Sequence, residues 1–277
     1  MPSAETFYVR FWGVRGSIAC PGPKTVRYGG NTSCLEIRCG ERTLIFDAGT
    51  GLRNLGADLL AQGPLDIDLF LTHTHFDHVC GLPFFAPLFI PGNKIRLAAG
   101  NLQPDNSLKQ VLIDMMIAPL FPVPPEIFQA NVTYRDFVAG ETQEPWPGIK
   151  IHTAPLNHPN NATGYRIEFA GKVISYITDT EHGEDGLDPA VLGLIKDADI
   201  FVYDCTYTDE EYPRFKGFGH STWQEGVRLA QAANVKALAI FHHDPNHDDE
   251  FMDQIATDAE IARPGTLVAR EGMILVP

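Results

Sequence analysis

The chain has 277 residues, of which 44% are hydrophobic and 20% charged, and its formal net charge is −14. No apolar stretch approaches the ~20 residues of a membrane-spanning helix, and a strongly acidic surface repels a long polyanion. These properties argue against a helical membrane protein and against long nucleic acid as the main partner.

The N-terminal residues and the cysteines indicate in which cellular compartment the protein is expected. Met1–Thr6 contains no basic segment followed by an apolar run, so we expect no secretory signal. The five cysteines form an odd count without a Cys-x-x-Cys pair, which fits neither a disulfide framework nor a zinc ribbon. We therefore expect a cytoplasmic protein. No repeat or linker divides the chain, so we predict one domain over residues 1–277.

The first half of the chain is rich in short strand patterns bounded by turn residues. We predict strands at Phe7–Trp12, Leu35–Arg38, Thr43–Phe46, Ile67–Leu71 and Ile95–Ala98, with a helix over Leu52–Ala61. Asn106–Pro125 begins as a helix and ends in a proline-rich run that cannot continue one. Aromatic residues are concentrated in residues 84–128, which predicts an excursion that either packs on the sheet or serves as a lid facing the substrate.

The second half repeats strands and separates the later ones by helices. We predict strands at Asn131–Phe137, Ile149–Thr153, Gly164–Phe169, Lys172–Thr178, Ile200–Tyr203 and Ala237–Phe241. Asp188-Pro189 starts one helix, and Ser221-Thr222-Trp223-Gln224 is interpreted as the capping box of a second, over Thr222–Ala233. Two β-rich halves flanked by helices indicate an α/β protein with two sheets packed face to face and helices outside.

One short segment carries four side chains that can bind a metal. His73-Thr74-His75-Phe76-Asp77-His78 follows the predicted strand Ile67–Leu71, so these side chains emerge from a single loop. Imidazole and carboxylate ligands suit zinc, manganese or iron, and the absence of thiolates argues against a closed structural zinc site. The segment predicts a metal site with open coordination positions.

Further candidate ligands occur at or just beyond the ends of later strands. They are His158, Asp179 and His242. A histidine or aspartate at a strand end is more often an ordinary turn residue, but the shared position and order of these three favour ligation.

Together these residues resemble the metallo-β-lactamase fold superfamily. The resemblance covers nearly the whole chain and implies a four-layer αββα sandwich with two metals at one edge. It implies that one metal is held by His73, His75 and His158, that the other is held by Asp77, His78 and His242, and that Asp179 bridges them. Asp47 matches an early aspartate that supports the histidine loop without binding metal.

The C-terminal part resembles the ribonuclease Z and cyclic-phosphodiesterase branch of that superfamily. Phe218-Gly219-His220-Ser221-Thr222 opens a helix leading to the last ligand strand, and the resemblance makes His220 the catalytic histidine. Asp204 stands where the branch has a glutamate that orients this histidine. Because aspartate is one methylene shorter, the contact between Asp204 and His220 is left open.

The opening motifs resemble a narrower group of proteins labelled phosphoribosyl cyclic phosphodiesterase-like. They are Phe11-Trp12-Gly13-Val14-Arg15-Gly16-Ser17 and Tyr28-Gly29-Gly30-Asn31-Thr32-Ser33. Ribonuclease Z proper is disfavoured because the chain is acidic and has no basic arm to grip transfer RNA. The branch then implies a hydrolase of a small phosphodiester, such as a cyclic nucleotide or cyclic phosphate.

The expected mechanism uses two divalent metal ions, with zinc the first choice and manganese or iron as alternatives. A hydroxide bridging the two ions attacks phosphorus, Asp77 orients it, and His220 held by Asp204 protonates the leaving alkoxide. Two other functions are left open. One is hydrolysis of a carboxylic ester, lactone, thioester or β-lactam, and the other is a metal-loaded binding or regulatory protein without turnover.

Several residues near these motifs stay unassigned. Arg15 and Asn31 could contact a phosphate, although a surface arginine and an ordinary turn are favoured. His243 and His247 are left open as pocket residues, and Cys80 is interpreted as buried filler. A homodimer is neither predicted nor excluded.

Overall fold

The computed structural model describes residues 6–277; most of the segment on which the absence of a secretory signal was predicted, residues 1–5, lies outside the described residues. Fourteen strands occur in the described part of the chain: β1 (Phe7–Gly13), β2 (Cys34–Cys39), β3 (Arg42–Phe46), β4 (Asp66–Leu71), β5 (Lys94–Ala99), β6 (Asn131–Asp136), β7 (Thr142–Trp146), β8 (Ile149–Leu156), β9 (Ala162–Phe169), β10 (Lys172–Ile177), β11 (Ile200–Asp204), β12 (Ala237–Phe241), β13 (Thr266–Val268) and β14 (Ile274–Leu275).

Seven α-helices accompany these strands within residues 6–277: α1 (Gly51–Leu60), α2 (Phe76–Val79), α3 (Leu108–Met115), α4 (Pro189–Ile195), α5 (Tyr212–Phe215), α6 (Trp223–Ala232) and α7 (Asp249–Ala262). Short 3-10 turns occupy Leu82–Phe84, Ala86–Phe89 and Pro125–Ile127. None of the described helices is long and apolar enough to cross a lipid bilayer.

The strands form two seven-stranded sheets over the described residues. The first has the order β14-β1-β2-β3-β4-β5-β6 and the second the order β13-β12-β11-β10-β9-β8-β7. Pairing is parallel from β3 to β6 in the first sheet and from β10 to β13 in the second. The predicted four-layer αββα sandwich is confirmed.

Side chains alternate between two apolar layers because successive strand residues point to opposite faces. In β4, Phe70 packs between the sheets, whereas Ile67, Leu69 and Leu71 pack outward in the cluster that includes α1. A third cluster covers the outer face of the second sheet beneath α4, α6 and α7.

An aromatic part of the inter-sheet core lies directly under one edge of the sandwich. Phe46 stacks on Phe70 with ring centroids 5.4 Å apart, and Tyr176 meets Phe241 at 5.6 Å. Each strand carrying one of these rings is parallel to at least one neighbour within its sheet, and the carboxyl ends of parallel strands share one edge. The residues that follow β3, β4, β10 and β12 are therefore brought to that edge.

The boundaries of most predicted elements differ by one or two residues from the observed ones, but one capping prediction is wrong. The N-cap of α6 is Thr222, whose side chain accepts from the Glu225 N–H, and not Ser221 paired with Gln224. The Ser221 hydroxyl instead accepts from the Tyr203 hydroxyl at 2.9 Å. Ser221 thus contacts a residue of β11 and does not cap α6.

Candidate metal centre

The loop after β4 is held from beneath by Asp47. Its carboxylate accepts from the Thr72 N–H at 2.8 Å and from the Tyr176 hydroxyl at 2.7 Å, and it lies 2.9 Å from His78 Nδ1. All these groups are buried. Asp47 thus ties the loop of the first sheet to β10 of the second.

Three residues at strand ends turn into the site with left-handed backbone conformations. Asp47, Asp179 and His242 have φ values of 61°, 58° and 61°. Such values are uncommon for residues other than glycine, and backbone strain of this kind costs about 1–3 kcal/mol per residue and is concentrated at functional sites. From these positions all three side chains contact His78 or Asp77 of the loop after β4.

One set of predicted ligands converges on Asp179 Oδ1. His158 Nε2 lies 3.0 Å from His75 Nδ1, and both His73 Nε2 and His158 Nε2 lie 3.7 Å from Asp179 Oδ1. These three histidines are the residues that the resemblance assigns to the first metal.

A second set converges on Asp179 Oδ2. His78 Nε2 lies 3.2 Å from this oxygen and 3.3 Å from Asp77 Oδ2, and His242 Nε2 lies 3.3 Å and 3.5 Å from the same two atoms. The structure therefore brings all seven predicted ligands together. Their assignment to metals remains a prediction.

The opposite ring nitrogen of each histidine is anchored by the protein, which fixes the ring orientation. These second contacts are His73 with Thr72 Oγ1 (3.0 Å), His75 with Asn160 Oδ1 (3.1 Å), His78 with Asp47 (2.9 Å), His158 with the Gly219 carbonyl (2.8 Å) and His242 with Thr206 Oγ1 (3.0 Å). Supporting polar contacts of this kind are typical of metal-ligating histidines.

A buried polar atom without a partner tests whether a metal fits. His73 Nε2 is buried and makes no hydrogen bond, although buried polar atoms are rarely left unpaired. It faces the other donors, and the groups His73, His75, His158 and Asp77, His78, His242 each have ligand atoms within 4.8 Å of one another. The donor set fits divalent cations, and these groups could hold them.

The charge states of His73, His158 and Asp179 suit metal binding, whereas nearby carboxylates outweigh the burial of His78 and raise its pKa well above the usual value. Burial, followed by repulsion from His78, holds the pKa of His73 well below its usual value, and burial likewise lowers the pKa of His158. Burial raises the pKa of Asp179, but attraction to His242, His78 and His73 outweighs burial and lowers this pKa. Neutral imidazoles beside an ionised carboxylate are the forms that coordinate cations.

His220 and Asp204 form a pair beside this cluster. His220 Nδ1 lies 2.9 Å from Asp204 Oδ2 and 3.8 Å from Asp179 Oδ1, so the shorter aspartate does reach the histidine. Burial lowers the pKa of His220, but the Asp204 carboxylate and its hydrogen bond outweigh burial and raise this pKa to about 9. Before cations bind, this shift favours the protonated form of His220 at neutral pH.

Two glycines allow the backbone to approach the cluster closely. A Cβ at Gly16 would lie 2.4 Å from a ring atom of His242, and one at Gly219 would lie 2.3 Å from His158 Nδ1. Next to Gly16, the Ser17 N–H donates to Asp77 Oδ2 at 2.8 Å. Residues 16–17 thus close the cluster on the Asp77 side.

Some contacts at the site were not found from the sequence. Thr206, Thr72 and Ser17 bind the predicted ligands, yet threonine and serine are too common near strand ends to be singled out. The position of Thr206, two residues after Asp204, was the one available signal, since its hydroxyl donates to that carboxylate at 2.7 Å.

The surface interpretation of Arg15 is wrong. Its side chain is fully buried and donates to the carbonyls of Gly29 (2.8 Å), Asp244 (3.1 Å) and His247 (2.6 Å). Because these bonds hold the guanidinium inside the protein, Arg15 is not placed to contact a phosphate at the surface. Asn31 donates to Glu271 Oε2 at 3.0 Å.

The remaining histidines near the C-terminal ligand have partners away from the cluster. His243 Nε2 lies 2.8 Å from the Ala269 carbonyl, and burial lowers the pKa of His243 to about 3. His247 Nε2 lies 2.9 Å from Glu211.

Cys80 is half-buried and lines a cavity beside Asp77, so the interpretation as buried filler is wrong.

Comparisons with known proteins agree with this geometry. Residues 42–243 match the family model described as Beta-lactamase superfamily domain. Ribonuclease Z of Sulfurisphaera tokodaii is 27% identical over 226 residues, covering 65% of this chain and 71% of that protein.

Two solved structures share the fold. Zn²⁺-bound PqqB from Methylobacterium extorquens superposes with a TM-score of 0.73 at 18% identity, over 98% of this chain and 100% of that one. A diphosphatase from the PhnP family superposes with a TM-score of 0.69 at 19% identity, over 97% and 96% of the two chains.

Proposed function

Since this chain belongs to the beta-lactamase superfamily, we propose that it is a dinuclear metal-dependent hydrolase that cleaves a small phosphodiester, such as a cyclic nucleotide or cyclic phosphate. The single observation that carries the proposal is the His220–Asp204 pair, 2.9 Å apart, beside a cluster of five histidines and two aspartates. A protonated histidine at this position supplies the proton that a departing alkoxide needs.

Each sheet contributes to the two proposed metal positions. We assign His73, His75 and His158 to one ion and Asp77, His78 and His242 to the other, with one Asp179 oxygen toward each. When bound, two divalent cations of this kind acidify water and polarise a phosphoryl oxygen. Zinc is the first choice because imidazole and carboxylate ligands suit it and a fold relative was solved with Zn²⁺. Manganese and iron are the alternatives.

The protein's own groups then have distinct tasks. Asp77 Oδ2 is held by the Ser17 N–H and is placed to orient the attacking water. Asp204 is anchored by the N–H groups of Thr180 and Thr206, and it keeps His220 protonated and oriented. The water gives up a proton to solvent as its oxygen bonds to phosphorus, the bond from phosphorus to the leaving oxygen breaks, and His220 donates a proton to the leaving oxygen.

A small substrate is favoured over a long RNA by charge. The sequence relative is named ribonuclease Z, which supports phosphodiester chemistry. However, the net charge of −14 opposes a polyanion. The five cysteines are free thiols, which supports the cytoplasmic setting that we include in the proposal. A homodimer stays open.

The test is a substrate panel with zinc or manganese. We expect turnover of cyclic nucleotides or a chromogenic phosphodiester well above that of the His75→Ala variant. His75 is only partly buried, so this change is expected to leave the fold intact. Absence of turnover above this control would end the proposal.

The panel also contains the competing substrates. Hydrolysis of a lactone, thioester or β-lactam that survives His220→Ala would favour carbonyl chemistry. Preferential cleavage of a transfer RNA precursor would favour a ribonuclease. Tight binding of a nucleotide without hydrolysis of any ester, with metals bound, would favour a binding protein.

A further inference from the structure

A cavity of about 410 Å³ opens directly beside Asp77. The loop Ser17–Ala19 forms one wall, and the segment from Phe76 to Phe84 forms the other. Volumes of roughly 300–1,000 Å³ are typical of sites for small organic ligands. The cavity is therefore large enough for a substituent of a small substrate.

The lining of this cavity is mainly apolar and partly aromatic. Ile18, Phe76 and Phe84 line it, and their side chains are exposed to 64%, 72% and 59% although they are large and apolar. A second cavity of about 590 Å³ shares Phe76 and Phe84 with the first. Exposed apolar side chains grouped around a concave surface mark a binding site rather than packing.

Phe84 is held in place without being covered. Its ring meets that of Phe121 edge to face, with centroids 5.8 Å apart and an interplanar angle of 78°. Phe84 is 59% exposed despite this contact, so much of its ring remains available to a planar group. The predicted excursion at residues 84–128 contributes Phe84 and Phe121 here, and its mobility as a lid stays a prediction.

One cation, Arg53, lines the same cavity. Its guanidinium donates to the Asn54 side chain at 3.2 Å and forms no ion pair with a carboxylate among residues 6–277. In a protein with a net charge of −14, an arginine left without a carboxylate at a cavity wall is available to an anionic ligand.

The cavity and the His220 pair border different members of the predicted ligand cluster. Asp77 lines the cavity, whereas His220, His158 and Asp204 do not. In the proposed function His220 protonates the leaving oxygen. The leaving oxygen therefore lies beside His220, and the cavity is left for the part of the substrate that is joined to phosphorus through the retained ester oxygen. In a cyclic phosphodiester both oxygens belong to one molecule, which then spans the two positions.

We propose that this cavity binds the retained substituent of the phosphodiester, and that this substituent is a planar aromatic group such as a nucleobase, carrying a further anionic group that meets Arg53. This inference rests on the proposed function and specifies the substrate class of the same site. Phe84 and Phe76 contact the aromatic group, and Arg53 contacts the anionic group.

Three substrates with the same leaving group separate these contributions. They are the 4-nitrophenyl phosphodiesters of methanol, of thymidine through its 5′-oxygen, and of thymidine 3′-phosphate through its 5′-oxygen. In each, water adds across the bond from phosphorus to the nitrophenyl oxygen and yields 4-nitrophenol plus the monoester of the retained alcohol. Differences in kcat/KM then report on the retained group alone.

For the aromatic contact we expect the thymidine ester to exceed the methyl ester by roughly tenfold in kcat/KM, the scale of one base stacked on an aromatic side chain. Phe84→Ala should reduce this ratio at least about threefold. Phe218→Ala is the matched control, because Phe218 is 60% exposed and does not line the cavity. A ratio near one in the wild type, or a ratio lost in Phe218→Ala but kept in Phe84→Ala, would overturn the proposal.

For the anionic contact we expect the added 3′-phosphate to raise kcat/KM roughly two- to fivefold, as for exposed ion pairs, with a smaller gain at high salt. Arg53→Gln should abolish this gain, and Arg214→Gln, which changes an exposed arginine outside the cavity, should keep it. A gain that persists in Arg53→Gln would contradict the role of Arg53.

The two proposals fail in different ways in this experiment. If metal-loaded enzyme hydrolyses none of the three esters, the proposed function fails and the inference fails with it. If it hydrolyses all three at equal rates, the function stands and the inference is overturned. Metal content and thermal unfolding of each variant show whether a lost preference reflects a lost fold, and calorimetric binding of thymidine 5′-phosphate to Phe84→Ala gives a second measure.

Discussion

The two sheets supply the candidate metal centre in different ways. The first sheet places four predicted ligands on residues 73–78, all in one loop anchored by Asp47. The second sheet supplies His158, Asp179 and His242 singly, from the ends of separate strands. Ligands that lie close together in one loop form a motif that can be recognised in the sequence. Ligands that occur singly can be recognised only because each lies at the end of a strand.

The largest expected loss of metal and activity comes from replacing Asp179, which contacts the predicted ligands of both metal positions. Asp179 directs one carboxylate oxygen at His73 and the other at His78, so Asp179→Ala removes a donor from both positions. We expect metal loss and phosphodiesterase activity at background, measured by elemental analysis and by kcat/KM. Glu184→Ala, at an exposed carboxylate, is the control. Full metal content with substantial activity in Asp179→Ala would contradict the shared role.

The second largest effect is expected on the rate of substrates whose leaving group needs a proton, because His220 is proposed to supply it. His220→Ala should lower kcat roughly 10²–10⁴-fold for substrates with alkoxide leaving groups, the range typical of general acids. It should matter little for 4-nitrophenyl esters, because nitrophenolate leaves without a proton. Comparing the two substrates in one metal-replete variant checks this, and equal losses on both would rule out the acid role.

A smaller loss of metal affinity is expected when the residues that hold the ligands in place are changed, one in each sheet. Asp47→Asn weakens the charged contact beneath the whole loop and should reduce metal affinity roughly 10–100-fold. Thr206→Val removes a neutral contact to His242 alone and should cost less. Chelator competition measures both. Equal metal affinities in the two variants would show that the contact of Asp47 with the loop matters no more than the contact of Thr206 with His242.

The smallest effect is a shift along the pH axis. His220 has its pKa raised to about 9, so its acid form is present below that pH and is lost as pH rises through it. Bound cations lower this pKa by repulsion, so activity on alkoxide esters should decline at or below pH 9. Asp204→Asn removes the charge that raises the pKa and should move the decline to lower pH by roughly 1–3 units. The pH profile of kcat tests this, and identical profiles would argue against Asp204 as the cause.

Local pattern predicted much of the scaffold. Apolar runs with turn residues at their ends located most of the central strands, including β11 and β12, because buried parallel strands are almost continuously apolar. The pattern missed shorter edge strands such as β7, and it missed α7, although Asp248 caps that helix by accepting from the Phe251 N–H. Edge strands bury fewer side chains, so their patterns are weaker.

Residue types and their order along the chain were enough to propose the seven ligands, because most of them follow strands whose carboxyl ends meet at one edge. His220 was proposed only from the resemblance to the ribonuclease Z branch. Burial of Arg15 and the cavity beside Asp77 depended on tertiary structure. Two of the carbonyls that hold Arg15 lie 229 and 232 residues away along the chain, and the cavity forms only where the loop Ser17–Ala19 meets residues 76–84. Contacts between segments so distant in sequence leave no periodic signal, because packing rather than local propensity brings them together.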